Sequence, residues 1–257
     1  MSASSLNQYR ESQLVFYYQQ ILKAKPDTQV PTCYGQAGNV VHETLEQCKR
    51  VDPTQFFLKK WDECALDSQL GLNGQPLSKE IYYYAMLHGV ELLSNQYTNT
   101  HHEELIQFRI MQTPQAEIHL KGFIDCKYTL DDGSIVIVDW KTNNSVKQDD
   151  SFELQGKMYA LLIYLKYGVV PKKVVFEYLK LKVQKEFLFT KEDILTHYKY
   201  VLSVVREILQ KGFDINQYEI GNIDSPFNEH KAKCQEEIQR RFSEKSTPVT
   251  IDSHSFG

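Results

Sequence analysis

Paired cysteines are missing from this chain. Its five, Cys33, Cys48, Cys64, Cys126 and Cys234, are scattered and none belongs to a C-x-x-C pair, which argues against a disulfide framework and against a structural zinc site. No apolar run approaches the roughly 20 residues needed to cross a bilayer, and the N-terminus has no signal-peptide core. A soluble protein of a reducing, cytoplasmic compartment is expected, with no membrane partner. An excess of positive charge is also lacking. At a net charge of −4 the molecule as a whole carries no signature of a nucleic-acid binder, so any affinity for phosphate must come from a local patch or a metal. There is no internal repeat and no low-complexity segment.

What is present supports a folded domain. A hydrophobic content of 42% over 257 residues is enough for one sizeable core with a helical elaboration. The organising stretch is Gly122 to Tyr159, which opens G-F-I-D-C-K-Y-T-L-D-D-G-S-I-V-I-V-D-W-K-T-N. Asp131-Asp132-Gly133 is a hairpin turn signal, because glycine supplies the positive φ that a tight loop needs. If those three residues form the loop, Leu130 faces Ser134, and counting back sets Asp125 opposite Asp139 with both carboxylates on one face. Cross-strand partners have Cβ atoms about 4.5–5.5 Å apart, and Lys141 shares the face of Asp139 because side chains alternate along a strand. The near-continuous apolar run Ile135 to Trp140 predicts a strand covered on both sides. Two like charges about 5 Å apart at an effective dielectric of about 20 repel by roughly 3 kcal/mol. Lys141 offsets part of this, and a hard divalent cation with oxygen ligands at about 2.0–2.1 Å would offset more. Taken alone, D-x-K better describes an Asp–Lys–Asp surface network; the matched hairpin register and the buried strand bring the two readings level.

The remaining pattern reads as follows. A helix-like segment runs from Ser2 to Ala24, and a helix begins near Gly38 with Val41, Leu45 and Cys48 as its buried stripe. His42 borders that stripe, where a histidine taken alone is a packed or capping residue. Another helix spans Ser78 to Asn95, with Ser78 as N-cap and Tyr82 to Tyr84 as packing. His101-His102-Glu103-Glu104 is dense in metal-ligand types, but adjacent residues of an extended chain point to opposite faces. It reads as the approach to a strand over Leu105 to Met111, with Glu104 the member that turns inward. A helix over Ser151 to Tyr167 puts Gln155 and Tyr159 four apart on one flank. The strands Val174–Leu181 and Lys185–Phe189 follow, then a helix from Thr190, a capping-box-like start, to Lys211. Residues 216–257 form a tail with one short helix over Glu229 to Phe242 and a disordered end. Lys166, Lys172, Lys173, Lys180, Lys182 and Lys185 either line a strand-binding groove or form a solvated face.

In this order the motifs resemble the RecB-type branch of the PD-(D/E)xK nuclease superfamily, which includes nuclease domains of bacterial recombination helicases, CRISPR-associated exonucleases and phage exonucleases. The matching elements are Ser2-Ala-Ser-Ser-Leu6 (S-x-S-x-L), Gly38-Asn-Val-Val-His42 (G-x-x-x-H), acidic Glu104, Gly122 to Asp125 (G-x-x-D), Asp139 to Thr142 (D-x-K-T) and Gln155 to Tyr159 (Q-x-x-x-Y). The resemblance covers roughly residues 2 to 215. It implies an α/β fold, a restriction-endonuclease-like mixed central sheet flanked by helices, with an N-terminal helical elaboration over about residues 1–100 and a catalytic core over about 101–215. It further implies metal ligation by His42, Asp125, Asp139 and the backbone carbonyl of Trp140. Lys141 would orient or activate the attacking water, while Gln155, Tyr159 and Thr142 would hold substrate and Glu104 would support the site.

Histidine is an unusual ligand for Mg²⁺ and makes Mn²⁺ competent or better, so one or two Mg²⁺ or Mn²⁺ ions are expected. The iron–sulfur cluster of many relatives is not expected here, because Ser12 stands at the first cysteine position and only Cys234 remains in the tail. The implied activity is metal-dependent hydrolysis of DNA, as an exonuclease in recombination, repair or phage DNA processing. The implied setting is the cytoplasm of a bacterial or phage-infected cell, with a recombination or replication protein as partner. The alternatives are a flap- or junction-specific endonuclease and a catalytically silent DNA-binding accessory subunit.

Overall fold

The structure is a computed structural model describing residues 1–97, 100–114, 117–146 and 150–245. The end expected to be disordered, 246–257, and part of the Asn143 to Asp150 loop lie outside the described residues. The N-terminal third is helical: α1 (Ala3–Glu11), short α2 (Gln13–Phe16) continuing as one π turn over Tyr17–Ile21, α3 (Cys33–Gln47), α4 (Pro53–Glu63) and α5 (Lys79–Asn95). Two of these start where side-chain chemistry directs. Asp52 accepts from the Gln55 amide ahead of Pro53, and Ser78 accepts from the Ile81 amide, satisfying first-turn donors that have no partner within the helix.

A five-stranded sheet follows. Its strands are β1 (Thr100–Gln112), β2 (Glu117–Thr129) and β3 (Ile135–Lys141), then, after helix α6 (Ser151–Tyr167), β4 (Lys173–Tyr178) and β5 (Val183–Phe187). Helices α7 (Lys191–Lys211) and α8 (Lys231–Lys245) complete the described residues. The strands lie in sequence order, antiparallel except for the parallel β3–β4 pair. That pair needs a crossover connection, which α6 supplies. The mixed sheet expected from the motifs is therefore observed. Thr190 opens α7 as predicted, exchanging hydrogen bonds with Asp193.

The β2–β3 register follows the count made on the sequence. The Leu130 amide donates to the Ser134 carbonyl at 2.9 Å around a loop in which Gly133 has φ of 79°, and Thr129, Tyr128, Lys127 and Cys126 pair with Ile135, Val136, Ile137 and Val138. One step further along the same register, Asp125 stands opposite Asp139. One face of the sheet contributes Cys126, Tyr128, Val136, Val138, Trp140 and Val175 to a core shared with α3, α4 and α5. Helix α6 packs on β1, β2 and β4. The strand over 135–141 is thus covered on both sides, as its composition requires.

The described chain divides into two compact units, one of residues Met1–Asn7 and Pro31–Glu207, the other of Gln8–Val30 with the described residues from Ile208. The expected division set Gln8–Val30 with the N-terminal helices and left residues 216 onward as a tail. In the structure these two stretches are one unit with its own small core of Leu14, Val15 and Cys234. Within it Ser12 donates its hydroxyl to the Ile220 carbonyl at 2.8 Å, and the Leu14 amide donates to the Glu219 carbonyl at 3.0 Å.

Candidate active site

Four elements bring the predicted residues to one cavity of about 650 Å³. Helix α3 supplies His42, β2 supplies Asp125, the end of β3 supplies Asp139 and Lys141, and α6 supplies Gln155 and Tyr159. Asp125 is fixed by its partner strand, since the Trp140 amide donates to its Oδ2 at 2.9 Å. His42 Nδ1 lies 3.4 Å from the same oxygen. Burial raises the Asp125 pKa, but the neighbouring His42 outweighs it with help from the Trp140 amide and Lys141, and the carboxyl is held below its usual range. Reciprocally, burial pushes the His42 imidazole down, Asp125 pushes it up, and the net shift is upward.

Asp139 is almost entirely buried. Its Oδ2 meets Lys141 Nζ at 2.6 Å. Burial raises its pKa, the lysine opposes this, Asp125 adds to it, and the carboxyl ends above its usual range. Lys141 is held from two directions. Its ammonium lies 4.9 Å and 5.0 Å from the ring centroids of Phe152 and Phe176, a cation–π arrangement, and it donates to Gln155 Oε1 at 3.0 Å. Gln155 and Tyr159 complete the cage. Gln155 Nε2 donates to Asp139 Oδ1 at 3.2 Å and to the Tyr159 hydroxyl at 2.8 Å. Tyr159 in turn donates to Asp139 Oδ1 at 2.8 Å. Burial, then the charges of Asp139 and Asp125, keep the Tyr159 pKa well above its ordinary value, so this hydroxyl remains a donor.

Other expected site residues fall elsewhere. Thr142 is not among the cavity's lining residues; its Oγ1 lies 3.1 Å from where a Cβ on Gly38 would be. The G-x-x-x-H glycine is therefore where α3 closes on the end of β3, one turn before His42. Trp140 engages Asp125 through its amide. Glu104 does turn inward, but away from the cavity, to Lys127 at 2.6 Å and to Lys166 and Tyr167. Burial raises its pKa, and the hydrogen bonds from Lys127, Lys166 and Tyr167 more than reverse this, holding it at about 2 against an ordinary 4.5.

A carboxyl with a depressed folded-state pKa contributes stability that is present above its unfolded value and lost as pH falls through the folded one. The stability difference between the wild type and Glu104→Gln should therefore shrink as pH falls from about 5 toward about 2, which urea midpoints across that range would measure. Phe152 and Phe176 were not legible as site residues. Phe176 reaches Asp139 only through the parallel pairing of β4 with β3.

The chemistry of the donors suits a divalent cation: the buried Asp139 carboxylate in electrostatic contact with the half-buried Asp125, and an imidazole beside the latter. Among the described residues, however, no three His, Cys, Asp or Glu side chains are grouped closely enough to hold an ion, and the Asp139 oxygens are engaged by Lys141, Tyr159 and Gln155.

Comparison with known proteins decides the family. The model of the PD-(D/E)XK nuclease superfamily matches residues 1–235. The chain belongs to the PD-(D/E)XK nuclease superfamily. A solved structure of a candidate exonuclease from Eubacterium rectale resembles this nuclease with a TM-score of 0.53 at 13% identity, over 86% of this chain and 84% of that one. At that identity the likeness is one of fold. The solved structure of SSO0001 aligns with a TM-score of 0.30 at 11% identity over 65% of this chain and 74% of that one. No curated protein sequence matches the chain.

As a member of this superfamily the nuclease has phosphodiester hydrolysis as its chemistry. Among its described residues no helix is long and apolar enough to cross a membrane.

Proposed function

We propose that this nuclease is a divalent-metal-dependent exonuclease of the RecB-type branch that degrades DNA from an end. The observation that carries the reading is the Asp139–Lys141 ion pair, caged by Gln155 and Tyr159 and opening on the same cavity as Asp125 and His42. Asp125, Asp139, His42 and the Trp140 carbonyl are the groups that would hold Mg²⁺ or Mn²⁺. Such an ion supplies charge neutralisation at the scissile phosphate and a more acidic bound water. Lys141, held beside the stacked rings of Phe152 and Phe176, steadies the negative charge that develops on the phosphoryl oxygens as water adds and the 3′ oxygen departs.

Gln155 and Tyr159 are assigned as positioning residues, because their polar atoms are spent on Asp139 and Lys141. Loss of an outer hydrogen bond to a metal-binding carboxylate typically costs about 10–100-fold in metal affinity or activity. Tyr159→Phe is accordingly expected to raise the Mn²⁺ concentration for half-maximal cleavage by about 10-fold or more, with DNA affinity unchanged. A titration of activity against metal, beside DNA binding in chelator, separates the two effects, and a change in DNA affinity alone would return Tyr159 to substrate holding.

Incubating the protein with labelled linear and covalently closed circular DNA, in Mn²⁺, in Mg²⁺ and in chelator, tests the proposal as a whole. Metal-dependent loss of linear DNA only is the expected result. Nicked circles would identify an endonuclease, and binding without turnover in either metal would identify an accessory subunit.

A further inference from the structure

Phe123 sits badly for a residue whose task is packing. Its neighbours on β2, Leu120 and Ile124, are fully buried, whereas Phe123 is 56% exposed, and Leu105, its directly paired partner on β1, is 48% exposed. The two form an apolar ledge on an otherwise polar ribbon, with Gln107 paired to Lys121 and Arg109 to His119 beyond it. This ledge is no stray surface patch, because Phe123 and Lys121 line the same cavity as Asp125, Asp139 and Lys141.

We infer that this part of β2 is the landing place of a single DNA strand, with Phe123 stacking on an unpaired nucleobase and Lys121 meeting a backbone phosphate. The inference rests on DNA being the substrate and specifies which form of it reaches the cavity. A strand rises about 3.3 Å per residue, so the Phe123 and Lys121 α-carbons lie about 7 Å and about 13 Å from that of Asp125, one to two nucleotides from the proposed point of cleavage. The platform is firmly seated. Between them Gly122 lies so close to α6 that a Cβ would be 2.7 Å from Leu162 Cδ1. The same helix carries Gln155 and Tyr159, so the ledge and the caged Asp139 share one support.

The chemistry favours a single strand. Within a duplex a base is stacked on both faces, and only a frayed or overhanging base has a face free for a phenyl ring. Aromatic stacking of this kind tolerates any sequence.

The test uses the full chain in chelator, with a short single-stranded oligonucleotide containing 2-aminopurine and a blunt duplex as probes, beside the metal-dependent cleavage assay. Phe123→Ala should weaken single-strand binding by about 5- to 100-fold, abolish the stacking change in 2-aminopurine fluorescence and leave duplex binding unchanged. Phe123→Trp should restore both single-strand signals. Lys121→Gln should flatten the slope of log affinity against log salt by about 0.7. If Phe123→Ala binds and stacks like the wild type, or weakens duplex and single strand equally, the landing place is refuted. Should the wild type cleave normally at the same time, only this inference fails. If instead the wild type cleaves nothing while single-strand binding still depends on Phe123, the exonuclease reading fails and the landing place stands.

Discussion

Lys141→Ala is expected to lower the rate of DNA cleavage by about 10²–10³-fold with DNA binding in chelator little changed. The magnitude is that of removing one preorganised group aimed at developing charge, and the structure gives grounds for treating Lys141 as preorganised. Its ammonium is held by Asp139, by Gln155 and by the faces of Phe152 and Phe176. Asp139→Asn should have a comparable effect, because the amide keeps an oxygen for Tyr159 but loses the charge. The two variants differ in stability in a way that checks the electrostatics. Removing the lysine strands a buried carboxylate beside Asp125, and breaking a buried pair in this way costs about 3–5 kcal/mol if the remaining charge persists.

Asp139 has another outlet, since its pKa already lies above the ordinary value and it can take up a proton. A carboxyl with a raised folded-state pKa makes the folded form hold protons more tightly, so stability falls as pH rises. The Lys141→Ala deficit should therefore be smaller at about pH 5 than at about pH 8, as read from urea midpoints. Cleavage near the wild-type rate in either variant would remove both residues from the chemistry.

The parts of this site that were legible in the sequence are those whose geometry is local. The Asp131-Asp132-Gly133 loop and strict alternation suffice to set Asp125 opposite Asp139, and a four-residue helical spacing suffices to bring Gln155 and Tyr159 together. His42 is different. Apart from the G-x-x-x-H resemblance, nothing near it in the chain distinguishes it from a packed helix residue, and its position beside Asp125 depends on α3 closing on the end of β3 over Gly38. Phe176 was invisible for a similar reason: it arrives through a parallel pairing formed after the whole of α6 has been traversed. Glu104 shows the limit of reading charge type without partners. The inward turn was correct, but Lys127, Lys166 and Tyr167 claim the carboxylate, and none of them is marked in the sequence as its neighbour.

The C-terminal residues were the least legible, and a large expected loss of stability lies among them, at Gly221. Its φ is +62°, and a Cβ there would lie 2.5 Å from the Glu11 carbonyl oxygen and 2.6 Å from the Ser12 α-carbon. The obstacle is backbone, and it cannot swing aside as a side chain would. It is also pinned, because the Asn222 amide donates to the Glu11 carbonyl and Ser12 donates to the carbonyl of Ile220.

Left-handed backbone costs a residue with a Cβ about 1–2 kcal/mol, and forcing atoms into a filled space adds about 1–3. Gly221→Ala should thus destabilise the unit formed by Gln8–Val30 and the chain from Ile208 by roughly 2–5 kcal/mol. Gly168 provides the control, since its φ is +74° with nothing within 4 Å of a built Cβ, and Gly168→Ala should show the conformational cost alone. Both tryptophans, Trp61 and Trp140, lie in the other unit and would report poorly. Hydrogen exchange of the Leu14 and Asn222 amides is the appropriate readout. Faster exchange there in Gly221→Ala, but not in Gly168→Ala, is the result expected. Equal and small effects from the two substitutions would mean that residues 219–222 do not lie against residues 11–14 as described, and the unit would lose its main physical basis.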